Sequence, residues 1–200
     1  KGHILCSDDI ALLSEAGHEF IIAAVLETND VPEDEAAGRI SQALAGNNIK
    51  IGKTFTGRSN LISSAQGLIT FDPTRLDNLN LIDETVTIAT LPVYEPVMVG
   101  QLIATVKIIP FSAPDEIVTK VETLAQTDEP LMSVSSFQQK RIGLIMTRLP
   151  GMKESILDNT RQTAAGRIES LGSTITEEIR CEHRVEEVET SLSHLSDKCD

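Results

Sequence analysis

The chain has 200 residues, 40% of them hydrophobic and 24% charged, which is ordinary for a soluble globular protein and enough for one large domain or two small ones. Aromatic residues make up only 3% and Trp is absent, so the core must rest on aliphatic side chains and base-stacking platforms are scarce. A net charge of −13 and a pI near 4.7 repel phosphate backbones and anionic lipid, which argues against general nucleic-acid binding and against docking on a membrane.

The longest apolar runs, such as residues 20–26, fall well short of the roughly 20 residues that a membrane span requires, and no stretch reads as a signal peptide. Cys6, Cys181 and Cys199 are far apart and show no C-x-x-C spacing, so neither a disulfide framework nor a zinc site is indicated. A reducing, cytoplasmic location is the expectation.

Along the chain, Gly2-His3-Ile4-Leu5-Cys6 reads as a short extended run. Ser7 then caps a helix whose first turn carries Asp8 and Asp9, and whose stop is Gly17. Residues 20–26 form a continuous apolar run that predicts a buried strand. Asn29 or Asp30 opens the next helix, with Pro32, Glu33, Asp34 and Glu35 in its first turn and Ile40, Ala43 and Leu44 on its apolar face.

Residues 49–110 change character. Short β-rich runs at 67–71, 85–89 and 97–109 are separated by turn residues and interrupted by a helix over 73–81, which Asp72 opens. Gly57-Arg58-Ser59-Asn60 reads as a tight turn that could also line a site. A helix over 114–126 follows, with Ile117, Val121 and Leu124 on one face. Asp128-Glu129-Pro130 and the polar stretch 133–139 predict a linker.

Beyond the linker the pattern becomes β-α-β-α: a strand at 140–147, a loop at Leu149-Pro150-Gly151, and a helix from Glu154 with a stripe of Ile156, Thr160, Ala164, Ile168 and Leu171. A strand at 173–179 and a helix with Val185, Val188, Leu192 and Leu195 on one face complete it. The expected fold class is thus α/β, with a mixed α+β module over 1–134 followed over 140–200 by the first half of a parallel-sheet domain. Lys1 in place of an initiator Met, and an end directly after a helical pattern, are read as the ends of a fragment.

Charge is unevenly spread. Residues 140–167 carry a local charge of +4 (Lys140, Arg141, Arg148, Lys153, Arg161 and Arg167 against Glu154 and Asp158), while residues 168–200 carry −6. A positive island after a parallel strand is where α/β folds take anionic ligands, although solvated helix charges would look the same. Thr147 offers a hydroxyl at the strand end, Lys153 a mobile cation, and Asp158-Asn159 polar groups one helical turn in. Such a set suits a heterocycle with amide edges joined to a phosphate, and it would equally serve as a capped helix start. Cys181-Glu182-His183 is a poor metal site, because three adjacent residues cannot easily converge on one ion. No G-x-S-x-G elbow, P-loop or G-x-G-x-x-G occurs.

Lys140-Arg141-Ile142-Gly143-Leu144-Ile145-Met146-Thr147, followed by Ile156-Leu157-Asp158-Asn159-Thr160, resembles the opening of the molybdopterin-binding domain shared by molybdopterin adenylyltransferases and molybdenum insertases. Lys1-Gly2-His3-Ile4-Leu5 through Gly17, Thr56-Gly57-Arg58-Ser59-Asn60-Leu61 and Ala104-Thr105-Val106-Lys107-Ile108-Ile109-Pro110-Phe111 are similar to segments of a bacterial subgroup of such proteins.

The resemblance implies molybdopterin binding in molybdenum cofactor biosynthesis or handling, with Thr147, Asp158 and Asn159 lining half a pocket. ATP and magnesium would be co-substrates of the complete protein, a molybdoenzyme or biosynthetic enzyme its partner, and a homo-oligomer its assembly. Lys153 is added from charge and position. Arg148-Leu149-Pro150-Gly151 replaces the family's Thr-Gly-Asp-Glu run, and the family's Gly-rich loop would follow a third strand beyond Asp200. Three readings therefore stand: a cofactor-biosynthesis enzyme, a non-enzymatic carrier or sensor, and an α/β interaction domain without a small-molecule ligand.

Overall fold

The computed structural model describes residues 4–127 and 129–200, and its chain is mixed α/β, dividing into two compact units at residues 135 and 136. The expected extended run at the N-terminus lies partly outside the described residues, as does Asp128; residues 4–6 form no strand.

In the first unit, α1 (Ser7–Glu15) starts where the backbone N–H of Cys6 is held by the Asp9 carboxylate at 2.9 Å. None of its side chains is buried. Residues 20–26 are a correction: they carry no strand, and Phe20, Ile22 and Val25 are exposed. An apolar run forms a buried strand only where a neighbouring strand satisfies its backbone, and this one has none among the described residues.

The next helix also differs from expectation, because Asp30 and Pro32 belong to β1 (Asp30–Pro32), which pairs antiparallel with β8 (Ser112–Pro114). The helix proper is α2 (Glu33–Leu44), with its acidic first turn at the positive end of the helix dipole and Ile40, Ala43 and Leu44 buried as expected.

A four-stranded antiparallel sheet follows in the order β2 (Ile49–Ile51), β3 (Arg58–Ser63), β7 (Leu102–Ile108), β5 (Val86–Thr90). Helix α2 packs on β3 and β7, joined by α3 (Pro73–Asn80) and α4 (Asp115–Ala125). Asp72 caps α3, its carboxylate accepting from the backbone N–H of Thr74 at 2.8 Å. Arg39 clamps α2 to α4 through a two-pronged bond to Glu122 (2.7 and 3.0 Å) and one to Asp115 at 2.7 Å.

The free edge of β5 is closed by a side chain. Asn80 Nδ2 donates to the carbonyl of Ile88 at 2.9 Å and its Oδ1 accepts from the N–H of the same residue at 2.7 Å. A three-stranded sheet, β6 (Pro96–Val97), β4 (Gly67–Phe71), β9 (Met132–Ser136), completes the unit. Strand β9 takes the first part of the stretch expected as a linker, with Ser133 and Ser135 alternating with buried Met132 and Val134, while residues 137–139 form no strand and the boundary between the units falls within the stretch.

The second unit is smaller. Strands β10 (Arg141–Arg148) and β11 (Thr174–Glu182) run parallel, with a register shift between Ile142 and Gly143. Between them lies α5 (Glu154–Glu169), and α6 (Val185–Leu195) follows β11. The two helices take opposite faces of the strand pair. Arg148 and Arg180 reach Glu154 of α5, while a Cβ on Gly143 would meet Leu195 of α6 at 2.7 Å.

Both predicted stripes are shifted in phase. On α5 only Leu157 is buried, with Ala164, Ala165 and Ile168 half-buried and Ile156 and Leu171 exposed. On α6 Ser191 and Leu195 are buried, whereas Val185 and Leu192 are exposed. No helix among the described residues is long and apolar enough to cross a membrane, and Cys6, Cys181 and Cys199 are free thiols.

Candidate functional site

The C-terminal ends of β10 and β11 bring together side chains that are 36 residues apart in sequence. Thr147 Oγ1 lies 2.9 Å from Nδ1 of His183. The pairing register sets Thr147 opposite Cys181, and the backbone N–H of His183 extends the ladder by donating to the carbonyl of Arg148 at 3.1 Å. Thr147 and His183 line a depression of about 280 Å³ together with Arg184, Val185, Val188 and Glu189. The last three sit at positions i, i+3 and i+4 of α6 and therefore share one helix face.

The other expected site residues lie on the α5 side. Asp158 is bound by Arg180, whose Nη2 donates to Oδ1 at 2.8 Å. The same guanidinium donates from Nη1 to Glu154 Oε2 (2.8 Å) and from Nε to Glu178 Oε1 (2.7 Å). Arg148 adds a bond to Glu154 at 3.1 Å, and Arg161 one to Glu178 at 2.6 Å. The result is one ion-pair network of six residues across α5, β10 and β11.

Its electrostatics follow from that geometry. Hydrogen bonds donated to Asp158, Glu178 and Glu154 raise the Arg180 pKa, and the hydrogen bond from Arg180, reinforced by Arg161, holds the Glu178 carboxyl below its usual range.

Thr147 and Asp158 thus face opposite sides of the strand pair, Thr147 toward α6 and Asp158 toward α5. Lys153 is the N-cap residue of α5, exposed and without an ion pair. Asn159 is exposed on α5, and its carbonyl accepts from Thr163 Oγ1 at 2.9 Å. Within the positive island, Arg148, Arg161 and Arg141 are ion-paired, the last with Asp200 at 3.3 Å. Among the described residues Lys153 and Arg167 have no ion pair, while Lys140 stands in the field of the Asp200 carboxylate.

Sequence reasoning weighed His183 only as a metal ligand and passed over Glu189. The signal that finds them is the parallel register: residues just past the end of β11, and the helix face that follows, must border the end of β10. In the first unit, the segment around Gly57 is a tight turn. Phe55 and Arg58 exchange backbone hydrogen bonds across it (3.0 and 3.2 Å), with Thr56 and Gly57 both at positive φ.

Compared with known proteins, the chain matches no protein-family model, no curated protein and no solved structure.

Proposed function

We propose that residues 136–200 bind molybdopterin at the C-terminal ends of β10 and β11, in the biosynthesis or handling of the molybdenum cofactor. The observation that carries this reading is the Thr147–His183 pair at the ends of two parallel strands, the position at which open α/β sheets receive ligands. Exposed Lys153, which has no ion pair among the described residues, supplies a cation for a phosphate. The resemblance of residues 140–160 to the molybdopterin-binding domain names the ligand.

One observation favours a carrier over a transferase. Asp158, which the resemblance would place in the pocket, has its Oδ1 bound by Arg180 on the α5 side and does not line the depression beside Thr147 and His183. A carrier holds the cofactor and passes it on without adenylate or molybdate transfer.

The test is to incubate the purified chain with molybdopterin released from a denatured molybdoenzyme, then follow its fluorescent oxidation product through gel filtration. Co-elution with the protein supports binding, and elution with the small molecules alone rejects it. Added ATP and magnesium separate the two roles: pyrophosphate release marks a transferase, and retention without release a carrier.

A further inference from the structure

The depression beside Thr147 has features beyond a phosphate site. Its α6 wall is apolar at Val185 and Val188, and Val185 is 68% exposed although it stands at the mouth of a concave surface. Glu189 lines the same wall, and its carboxylate makes no hydrogen bond or ion pair among the described residues. The Thr147–His183 pair lines the same depression, and in it the hydroxyl keeps two further hydrogen-bonding positions and the imidazole keeps Nε2. Arg184, the remaining lining residue, is turned toward Glu182 and Glu186 at 3.9 and 3.7 Å.

An apolar wall, a free carboxylate and a hydroxyl–imidazole pair do not make an anion site. They match a flat, uncharged ring that presents N–H groups along one edge. The volume of about 280 Å³ lies just under the roughly 300 Å³ at which small-molecule sites begin, which is room for one bicyclic heterocycle.

We infer that this depression is the heterocycle subsite, and that Glu189 recognises a 2-amino-4-oxopyrimidine edge by accepting from its ring N–H and exocyclic amino group. Both pterins and guanine carry that edge. Lys153, on the α5 side of the strand end, is left to the phosphate, so the ligand straddles the end of β10. This rests on the ligand-binding reading of the strand ends, and it assigns Glu189 and His183 roles that reading lacks.

The experiment is a fluorescence titration of the full chain with free pterin, with lumazine (which has a carbonyl in place of the 2-amino group), and with guanosine as competitor. Pterin is expected to bind, and lumazine to bind roughly tenfold more weakly, the effect of one lost hydrogen bond to a charged group. Glu189→Gln should weaken pterin by a similar factor while Arg167→Ala leaves it unchanged. Competition by guanosine shows that the edge alone is read; its failure shows a pterin-selective pocket, and either result supports the subsite.

Equal affinity for pterin and lumazine, an unaltered Glu189→Gln titration, or no binding of any of the three overturns the inference. Molybdopterin retention that survives Glu189→Gln would overturn this inference alone. Pterin binding without molybdopterin binding would reject the proposed function and leave the subsite standing.

Discussion

Arg180 Nη2 holds Asp158 Oδ1 at 2.8 Å, from a guanidinium that is also bonded to Glu154 and Glu178. All three nitrogens of the fork are thereby engaged by carboxylates, two from α5 and one from β11 itself. The α5 face of the second unit is consequently held by charge, with Leu157 its only buried apolar side chain on the helix. Arg180→Ala should lower the unfolding midpoint of residues 136–200 in thermal denaturation. Arg180→Lys, which keeps the charge and loses the fork, should restore part of it, and Arg167→Ala should leave it unmoved.

The same network predicts an acid limb of stability. Glu178 has a lowered folded-state pKa because Arg180, and then Arg161, stabilise its carboxylate. Its contribution is therefore present above the unfolded value of about 4.3 and is lost as pH falls below that value and through the lowered pKa. Asp200, lowered by the backbone N–H and then the side chain of Arg141, adds to the loss in the same direction. Urea midpoints measured between neutral pH and pH 3 should decline over this window, and Glu178→Gln should flatten the decline.

How far these features can be read from the sequence depends on which force sets them. Asp72 before Pro73 and the apolar face of α2 follow from local chemistry and were legible; on α4 only Val121 of the expected face is fully buried, and Val118 and Ala125 rather than Ile117 and Leu124 complete the inward face. The α5 stripe was not, because the surface it packs on carries Glu178 and Arg180, and ion pairs rather than aliphatic residues choose the inward face. Residues 20–26 have a strand's composition without a strand's partner. Stretch 133–139 has a linker's composition and holds the boundary between the units, but Val134, buried two residues after Met132, places its first part in β9. At the site, Thr147 was legible as a strand end, whereas its distance from Asp158's side of the sheet depends on strand phase, which a one-residue slip inverts.

Asn80 substitutes for a neighbouring strand by pairing with both backbone groups of Ile88. Asn80→Ala should cost about 1–3 kcal/mol, since it leaves a donor and an acceptor of β5 unmatched. It should also raise light scattering on mild heating, because an open edge invites strand addition. Asn80→Asp keeps the acceptor for the Ile88 N–H but faces its carbonyl with a carboxylate, and should be as damaging in chemical denaturation.

Gly57 has φ +67, and a Cβ there would meet Glu33 Oε2 at 2.7 Å and the carbonyl oxygen of Ile108 at 2.9 Å. Its N–H also donates to Asp34 Oδ1 at 2.8 Å, tying the turn to the first turn of α2. Gly57→Ala should destabilise the first unit by at least about 1–2 kcal/mol in urea unfolding, because the neighbouring backbone cannot move aside.

The two units differ sharply in how much oil they contain. Among the described residues the second unit buries only Met146, Leu157, Cys181 and Leu195 as apolar side chains, while every other buried hydrophobic residue belongs to the first. Amides of β10 and β11 should therefore exchange with deuterium through a low-energy opening, long before those of β3 and β7. That weakness makes the second unit its own reporter: a ligand at a hundred times its Kd adds about 2.7 kcal/mol and slows exchange in β10 and β11 roughly a hundredfold. Exchange in the first unit stays as it was, so occupancy can be read from the protein alone, with no reaction to follow.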